Sequence, residues 1–228
     1  MKAFGGYTSW WGWLGGKVLP LTIFTLFLVT HSLTLPREAV QLTHEGIQLY
    51  RFMELLRHLL TAGFLLLVVG AYLIRTSAVA SAYGFWERVF PLLVLFATVV
   101  GMSFLRRAEE LPHPFLVAVG LLLTAFGYYV SFWSLWHLRG SFGIMAEARS
   151  PVMSGPYRYV RHPLYLGESL TMFGLCLAIG TATALLFWAA ITGMQLARAR
   201  IEEAKLSRQF VDYQAYLERT RFILPGLY

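Results

Sequence analysis

The chain has 228 residues, of which 57% are hydrophobic and 14% charged, with a mean hydropathy of +0.58. Soluble domains carry roughly 25% charged residues, so this composition cannot cover a water-facing surface and lipid is the natural solvent for most of the chain. The net charge of +7 falls in short connections between apolar runs, a pattern that sets membrane orientation and gives no support to nucleic-acid binding.

An apolar run of about 18–20 residues spans a bilayer as a helix. Residues 1–16 hold Tyr7, Trp10, Trp11 and Trp13 without a small-residue cleavage site, which reads as an interfacial aromatic anchor and not as a cleavable signal peptide. Four spans follow, at about 18–35, 56–74, 89–105 and 114–136. The stretch from Leu164 to Ala197 exceeds one span and is interrupted by Gly180-Thr181-Ala182-Thr183. It is read as two helices, 163–179 and 182–200, joined by a tight turn, with one long tilted helix as the alternative. Residues 200–219 place Ile201, Leu206, Phe210, Tyr213 and Leu217 at helical spacing and predict an amphipathic interfacial helix.

With six spans, fourteen of the Lys and Arg residues fall on one side, including Arg139, Arg149, Arg158 and Arg161 of the fourth connection and the basic tail. Arg37, Arg51, Arg57, Arg106 and Arg107 fall on the other. The positive-inside rule then puts both termini and the 138–163 loop in the cytoplasm. A five-span count would separate that loop from the C-terminal segment. The expected fold is therefore all-α: a polytopic bundle of about six transmembrane helices, the last two a tight hairpin, plus the interfacial helix. Residues 1–137 form the four N-terminal spans and 138–228 the core that carries chemistry.

Two clusters stand out. The first runs from Ser154 to Glu168 and contains Pro156, Tyr157, Tyr159, Arg158, Arg161, His162, Pro163 and Tyr165. Pro163 suits the first position of a helix, which puts His162 at the N-cap, and the free N–H groups of that end favour an anion. The second is Arg198-Ala199-Arg200-Ile201-Glu202-Glu203, in which Arg198 and Glu202 share a helix face. By composition alone either cluster also reads as a charged, aromatic membrane interface. Glu168 lies just inside an apolar run, where an ionisable residue is functional by default, though it could face the loop. His31, His58 and His137 lie near span ends, have no metal-ligand spacing and read as interfacial. Cys176, the one cysteine, has no disulfide or CxxC partner, and no HExxH, P-loop or GxGxxG is present. No metal is expected.

Together, Ser154 to Gly167 and Arg198 to Glu203, continuing through Leu206, Phe210, Tyr213, Tyr216 and Pro225, resemble the isoprenylcysteine carboxyl methyltransferase and phospholipid methyltransferase superfamily of integral membrane enzymes. The resemblance covers about residues 138–228. It implies S-adenosyl-L-methionine as cofactor, held between membrane helices and a cytoplasmic lid. Carried onto this chain, it implies a cofactor pocket lined by Pro151, Val152, Tyr157, Arg161, His162, Pro163, Leu164 and Tyr165, with Glu202 and Glu203 on the opposite side. It implies that Arg198 faces a lipophilic methyl acceptor and, with Glu202, carries catalysis. The implied acceptor is the carboxylate of an isoprenylcysteine-like substrate, already ionised and oriented by Arg198. A phospholipid amine or a small thiol is the alternative, and either would first need deprotonation. Arg149 stands where the family often has a histidine, and Val211 where a glycine is frequent. Two other functions compete: an NADPH-dependent membrane reductase, whose family shares the Arg-His-Pro-x-Tyr segment and often the following Gly-Glu, and a non-catalytic membrane protein that binds no cofactor.

Overall fold

The structure is a computed structural model that describes residues 13–44, 49–105 and 114–223. The expected anchor residues Tyr7, Trp10 and Trp11, the basic residues Lys2, Arg106 and Arg107, and Pro225 lie outside the described residues. Every element formed is helical; strand-like pairing among the described residues is limited to the isolated bridges Ala80–Ala148 and Val160–Arg221.

A π-helical turn at Leu14–Val18 opens into α1, Leu19–His44. Helix α2 covers Leu49–Leu73, and a second π-helical turn, Phe85–Val89, leads into α3, Phe90–Phe104, with Pro91 in its first turn. Helix α4 spans Pro114–Leu138 and ends in a 3-10 turn, Arg139–Ser141. After a 3-10 turn at Gly155–Arg158 come α5, Pro163–Ile179, α6, Ala182–Gln209, and α7, Asp212–Arg219. Among the described residues, four stretches are long and apolar enough to cross a membrane: Leu14–Leu33, Leu55–Leu73, Phe85–Met102 and Pro114–Ser141. Helix α5 is apolar but only 17 residues long.

The chain does break where the glycine stands. Gly180 adopts φ 78°, left-handed backbone that favours glycine, and its N–H bonds to the Cys176 carbonyl. Thr181 then caps α6 by accepting from the Ala184 N–H at 3.3 Å.

The single amphipathic helix expected over 200–219 is corrected to two pieces. Helix α6 runs on to Gln209, Phe210 turns extended at φ −128°, ψ 115°, and α7 starts at Asp212. The turn swings Tyr213 and Tyr216 inward, where both are buried, and the Tyr216 hydroxyl donates to the Tyr157 carbonyl at 2.7 Å.

Helices α4 and α5 pack antiparallel through glycines seven residues apart on each: Gly120 and Gly127 face Gly174 and Gly167. A Cβ on Gly120 would lie 2.6 Å from the Gly174 carbonyl oxygen, and one on Gly127 would lie 2.7 Å from that of Gly167. In lipid, where burying apolar surface drives nothing, such close backbone approach is what holds helices together.

The 138–163 loop is pinned by buried polar contacts. Tyr72, fully buried on α2, accepts the Ile144 N–H at 3.0 Å. Glu147 bridges Arg75 at 2.7 Å and Arg149 at 2.5 Å, with all three side chains almost wholly buried. Arg75 also donates to the Gly16 carbonyl, and Arg149 donates to that of Thr76 at 2.9 Å. Burying two arginines and a carboxylate is tolerated only when the charges pair and the remaining donors find carbonyls. On the other flank Lys205 of α6 pairs with Glu87.

Candidate active site

Beneath the loop lies a cavity of about 530 Å³, within the range of small-molecule sites. One part of its wall comes from the loop and the ends of α5, α6 and α7, and another from apolar side chains of α1 to α5, among them Phe24, Phe64, Val68, Val94 and Met172.

Of the residues expected to act, Pro151, Val152, Tyr157, Arg161, His162, Leu164, Tyr165, Arg198 and Glu202 all line this one cavity. Pro163 and Glu203 stand behind the wall. Pro163 is fully buried at the first turn of α5, after His162 in the N-cap position, as its missing N–H favours.

Arg198, Glu202 and Tyr165 form one group. The Tyr165 hydroxyl donates to Glu202 Oε1 at 2.6 Å, and Arg198 Nε donates to the same oxygen at 3.2 Å. Arg198 Nη2 reaches the Gly143 carbonyl at 3.2 Å, and its guanidinium lies 5.2 Å from the Tyr165 ring centre. Gly143 is required there: a side chain would strike the guanidinium of Arg75.

Glu203 serves a different purpose from its neighbour. Its Oε1 accepts from Arg161 Nε at 2.6 Å and lies 3.0 Å from His162 Nε2. Arg161 Nη1 donates to the Leu217 and Thr220 carbonyls, at 3.0 and 2.5 Å. Burial alone would raise the Glu203 carboxyl, but the hydrogen bonds and charges of His162 and Arg161 outweigh it and hold it below the usual range. The Arg161–Glu203–His162 cluster thus ties the start of α5 to α6 and α7. The ring of His162 stacks on Tyr165, with centres 5.5 Å apart and planes 17° from parallel.

Tyr157 is the informative orphan. Its hydroxyl is buried with no hydrogen-bond partner and lines the cavity. Burial pushes the phenol well above its ordinary range, so it remains a neutral donor. An unpaired buried hydroxyl costs about 1–3 kcal/mol, which a ligand in the cavity would recover. Burial likewise pushes Tyr216 up to about 12.

Several cavity residues escaped the sequence reading. Gln195 lies one turn before Arg198 on α6 and donates to Glu168 Oε2 at 3.0 Å. Ser131 and Thr171 line the cavity from α4 and α5. His31, read as interfacial, also lines the cavity, its ring 5.0 Å from that of His58 across α1 and α2. A polar residue within a long apolar run was the available signal for Ser131, Thr171 and Gln195. Among the described residues, no three His, Cys, Asp or Glu side chains gather as metal ligands.

Residues 115–212, from α4 to the start of α7, match the family model described as phospholipid methyltransferase. The chain is also similar to the nickel-cobalt-cadmium resistance protein of Alcaligenes xylosoxydans xylosoxydans, 29% identical over 149 residues. That match covers 63% of this chain and 64% of the relative, so the chain spans less than two thirds of the relative's length.

Proposed function

We propose that the chain is a membrane methyltransferase of the superfamily that includes the phospholipid and isoprenylcysteine carboxyl methyltransferases, a reading supported by the family model matched over residues 115–212, and that it transfers a methyl group from S-adenosyl-L-methionine to a lipophilic acceptor. One observation carries the reading: Tyr157, Tyr165, Arg198 and Glu202, drawn from segments about 40 residues apart, converge on one cavity that continues into apolar walls. The orphaned Tyr157 hydroxyl and the Glu202 carboxylate suit a polar cofactor bearing hydroxyls and an ammonium group.

In this reading Tyr157, Glu202 and the segment from His162 to Tyr165, with Pro151 and Val152, hold the cofactor. When bound, S-adenosyl-L-methionine supplies a methyl group on a positively charged sulfur. Arg161, His162 and Glu203 fix the start of α5, so the cofactor wall is rigid before any ligand arrives. Arg198, itself oriented by Glu202 and Gly143, presents a cation to the acceptor side. The loop and α7 exclude water, so that positioning and desolvation lower the barrier. An isoprenylcysteine-like carboxylate would be held by Arg198 as a charge-assisted pair. An amine or thiol would need a proton acceptor in the cavity.

We further propose that α5 and the first part of α6 complete six membrane spans, with both termini and the 138–163 loop on the cytoplasmic side. A C-terminal reporter found outside the cytoplasm would overturn that topology.

The test is calorimetric titration of the detergent-purified protein with S-adenosylhomocysteine and, separately, with NADPH. Saturable binding of the first, weakened tenfold or more in Glu202→Ala and largely kept in Arg198→Ala, is expected. Binding of NADPH alone would make the protein a reductase, and binding of neither by folded protein would make it non-catalytic.

A further inference from the structure

Glu168 lines the cavity one turn beyond Tyr165 on α5, and neither the cofactor wall nor the Arg161–Glu203–His162 cluster uses it. Its one hydrogen bond comes from the neutral amide of Gln195, and none of the ion pairs among the described residues includes it. The Arg198 guanidinium acts on it only from a distance, with the Glu202 carboxylate opposing, and forms no ion pair with it; a carboxylate away from bulk water and without a paired cation is costly, and it recovers that cost by taking up a proton or meeting a positive group.

Two hydroxyls without a partner share the cavity with it. The Ser131 hydroxyl, on a residue 1% exposed, and the Thr171 hydroxyl, on a residue 9% exposed, line the same cavity and have no hydrogen-bond partner. Hydroxyls in apolar helices ordinarily donate to the carbonyl one turn back, as Thr124 does to Gly120 at 2.8 Å and Ser134 to Val130 at 2.7 Å. Ser131 and Thr171 do not. Thr171 follows Glu168 by one turn, and Ser131 sits against Gly167, where a Cβ would collide with its oxygen. The glycine adjacent to the carboxylate therefore leaves room for a hydroxyl at this point of the wall.

Resting on the methyltransferase reading above, we infer that Glu168, with the Ser131 and Thr171 hydroxyls of the same cavity, receives the reacting group of the acceptor and takes its proton. The acceptor is then a thiol or a primary amine on a lipophilic tail, a nucleophile that carries a proton at neutral pH, and not a carboxylate. The X–H bond of the acceptor breaks with its electron pair left on X, and the proton passes to a Glu168 oxygen. X bonds to the methyl carbon, and the pair of the methyl–sulfur bond stays on sulfur, which becomes a neutral thioether. The His162 ring, another group that could accept a proton, is engaged by Glu203 at 3.0 Å. Gln195 holds the Glu168 carboxylate in place.

The experiment measures methyl transfer to dodecanethiol, dodecylamine and N-acetyl-S-farnesylcysteine by full-length wild type, Glu168→Gln and Glu168→Asp, alongside calorimetry with S-adenosylhomocysteine. The wild type is expected to methylate the thiol or the amine. Glu168→Gln is expected to lose about 100-fold in kcat, as general-base removal does, with KM and S-adenosylhomocysteine affinity within twofold. Glu168→Asp is expected to recover part of the rate. A Glu168→Gln enzyme with unchanged turnover, one that loses S-adenosylhomocysteine binding, or a wild type that methylates only the farnesylcysteine would overturn the inference. Should Glu168→Gln fail to fold, the Ser131→Ala/Thr171→Val double variant decides: a fivefold or greater rise in KM for the thiol or amine supports the subsite, and no change removes it. Failure of the wild type to bind S-adenosylhomocysteine would instead strike the methyltransferase reading itself.

Discussion

Tyr165 and Glu202 meet across 37 residues of sequence through a 2.6 Å hydrogen bond from the tyrosine hydroxyl to the glutamate Oε1. The same oxygen accepts Arg198 Nε at 3.2 Å, so one carboxylate oxygen sets the position of a phenol on α5 and a guanidinium on α6. Tyr165 and Arg198 are buried and Glu202 is half-buried; hydrogen bonds to a charged partner contribute about 1.5–3 kcal/mol.

Removing the Tyr165 hydroxyl should therefore loosen Glu202 without emptying the wall. Tyr165→Phe keeps the ring that stacks on His162. We expect S-adenosylhomocysteine affinity to fall about tenfold, equivalent to about 1.4 kcal/mol, while the melting temperature in detergent changes little. Calorimetry paired with a thermal melt checks both.

The Arg161–Glu203–His162 cluster makes stability depend on acidity. The Glu203 carboxyl is held below its ordinary value of 4.5 in the folded protein. Its contribution is thus fully present above the unfolded value and is lost as the pH falls through the lower folded value. Wild type should lose stability progressively on acidification below about pH 5. Glu203→Gln should be less stable at neutral pH by about 3–5 kcal/mol, the usual cost of leaving a buried cation unpaired, and its stability should depend less on acid. Denaturant melts at several pH values read this directly.

The glycine contacts between α4 and α5 predict a packing defect on the smallest enlargement. In Gly120→Ala the new methyl meets the Gly174 carbonyl oxygen at 2.6 Å and the Ala178 nitrogen at 3.1 Å, both backbone atoms. Overpacking of this kind costs about 1–3 kcal/mol. A lowered melting temperature is expected in Gly120→Ala, whereas Gly70→Ala, with nothing within 4 Å of the added carbon, should melt as wild type does.

Much of the site was legible because its local chemistry is written in contiguous residues. His162-Pro163 marks a helix start by the missing proline N–H, and Gly180 marks a helix end by its left-handed backbone. The i,i+4 spacing of Arg198 and Glu202 gives their contact without any tertiary knowledge. What was not legible depends on which partner wins. Arg161 lines the cavity, but that its Nε would meet Glu203 and its Nη1 two carbonyls of the C-terminal region depends on long-range packing and could not be read from sequence. The helical periodicity of 200–219 is continuous, and only burial of Tyr213 and Tyr216 against the 3-10 turn explains the break at Phe210. The share of α1 to α3 in the cavity wall was invisible, because lipid-facing and cavity-facing apolar residues look alike in sequence.

The backbone at the entrance to α5 is tied to the far end of the chain: Arg161 N–H donates to the Arg221 carbonyl at 2.8 Å, and His162 N–H donates to that of Phe222 at 3.2 Å. Those partners are synthesised about 60 residues after the segment they secure. A nascent chain with its helices already inserted therefore carries an unlatched 138–163 loop until its last turns emerge from the ribosome. Assembly of this side of the pocket is the closing event of biosynthesis, and a chain cut short before Arg221 would lack both backbone bonds that secure the start of α5.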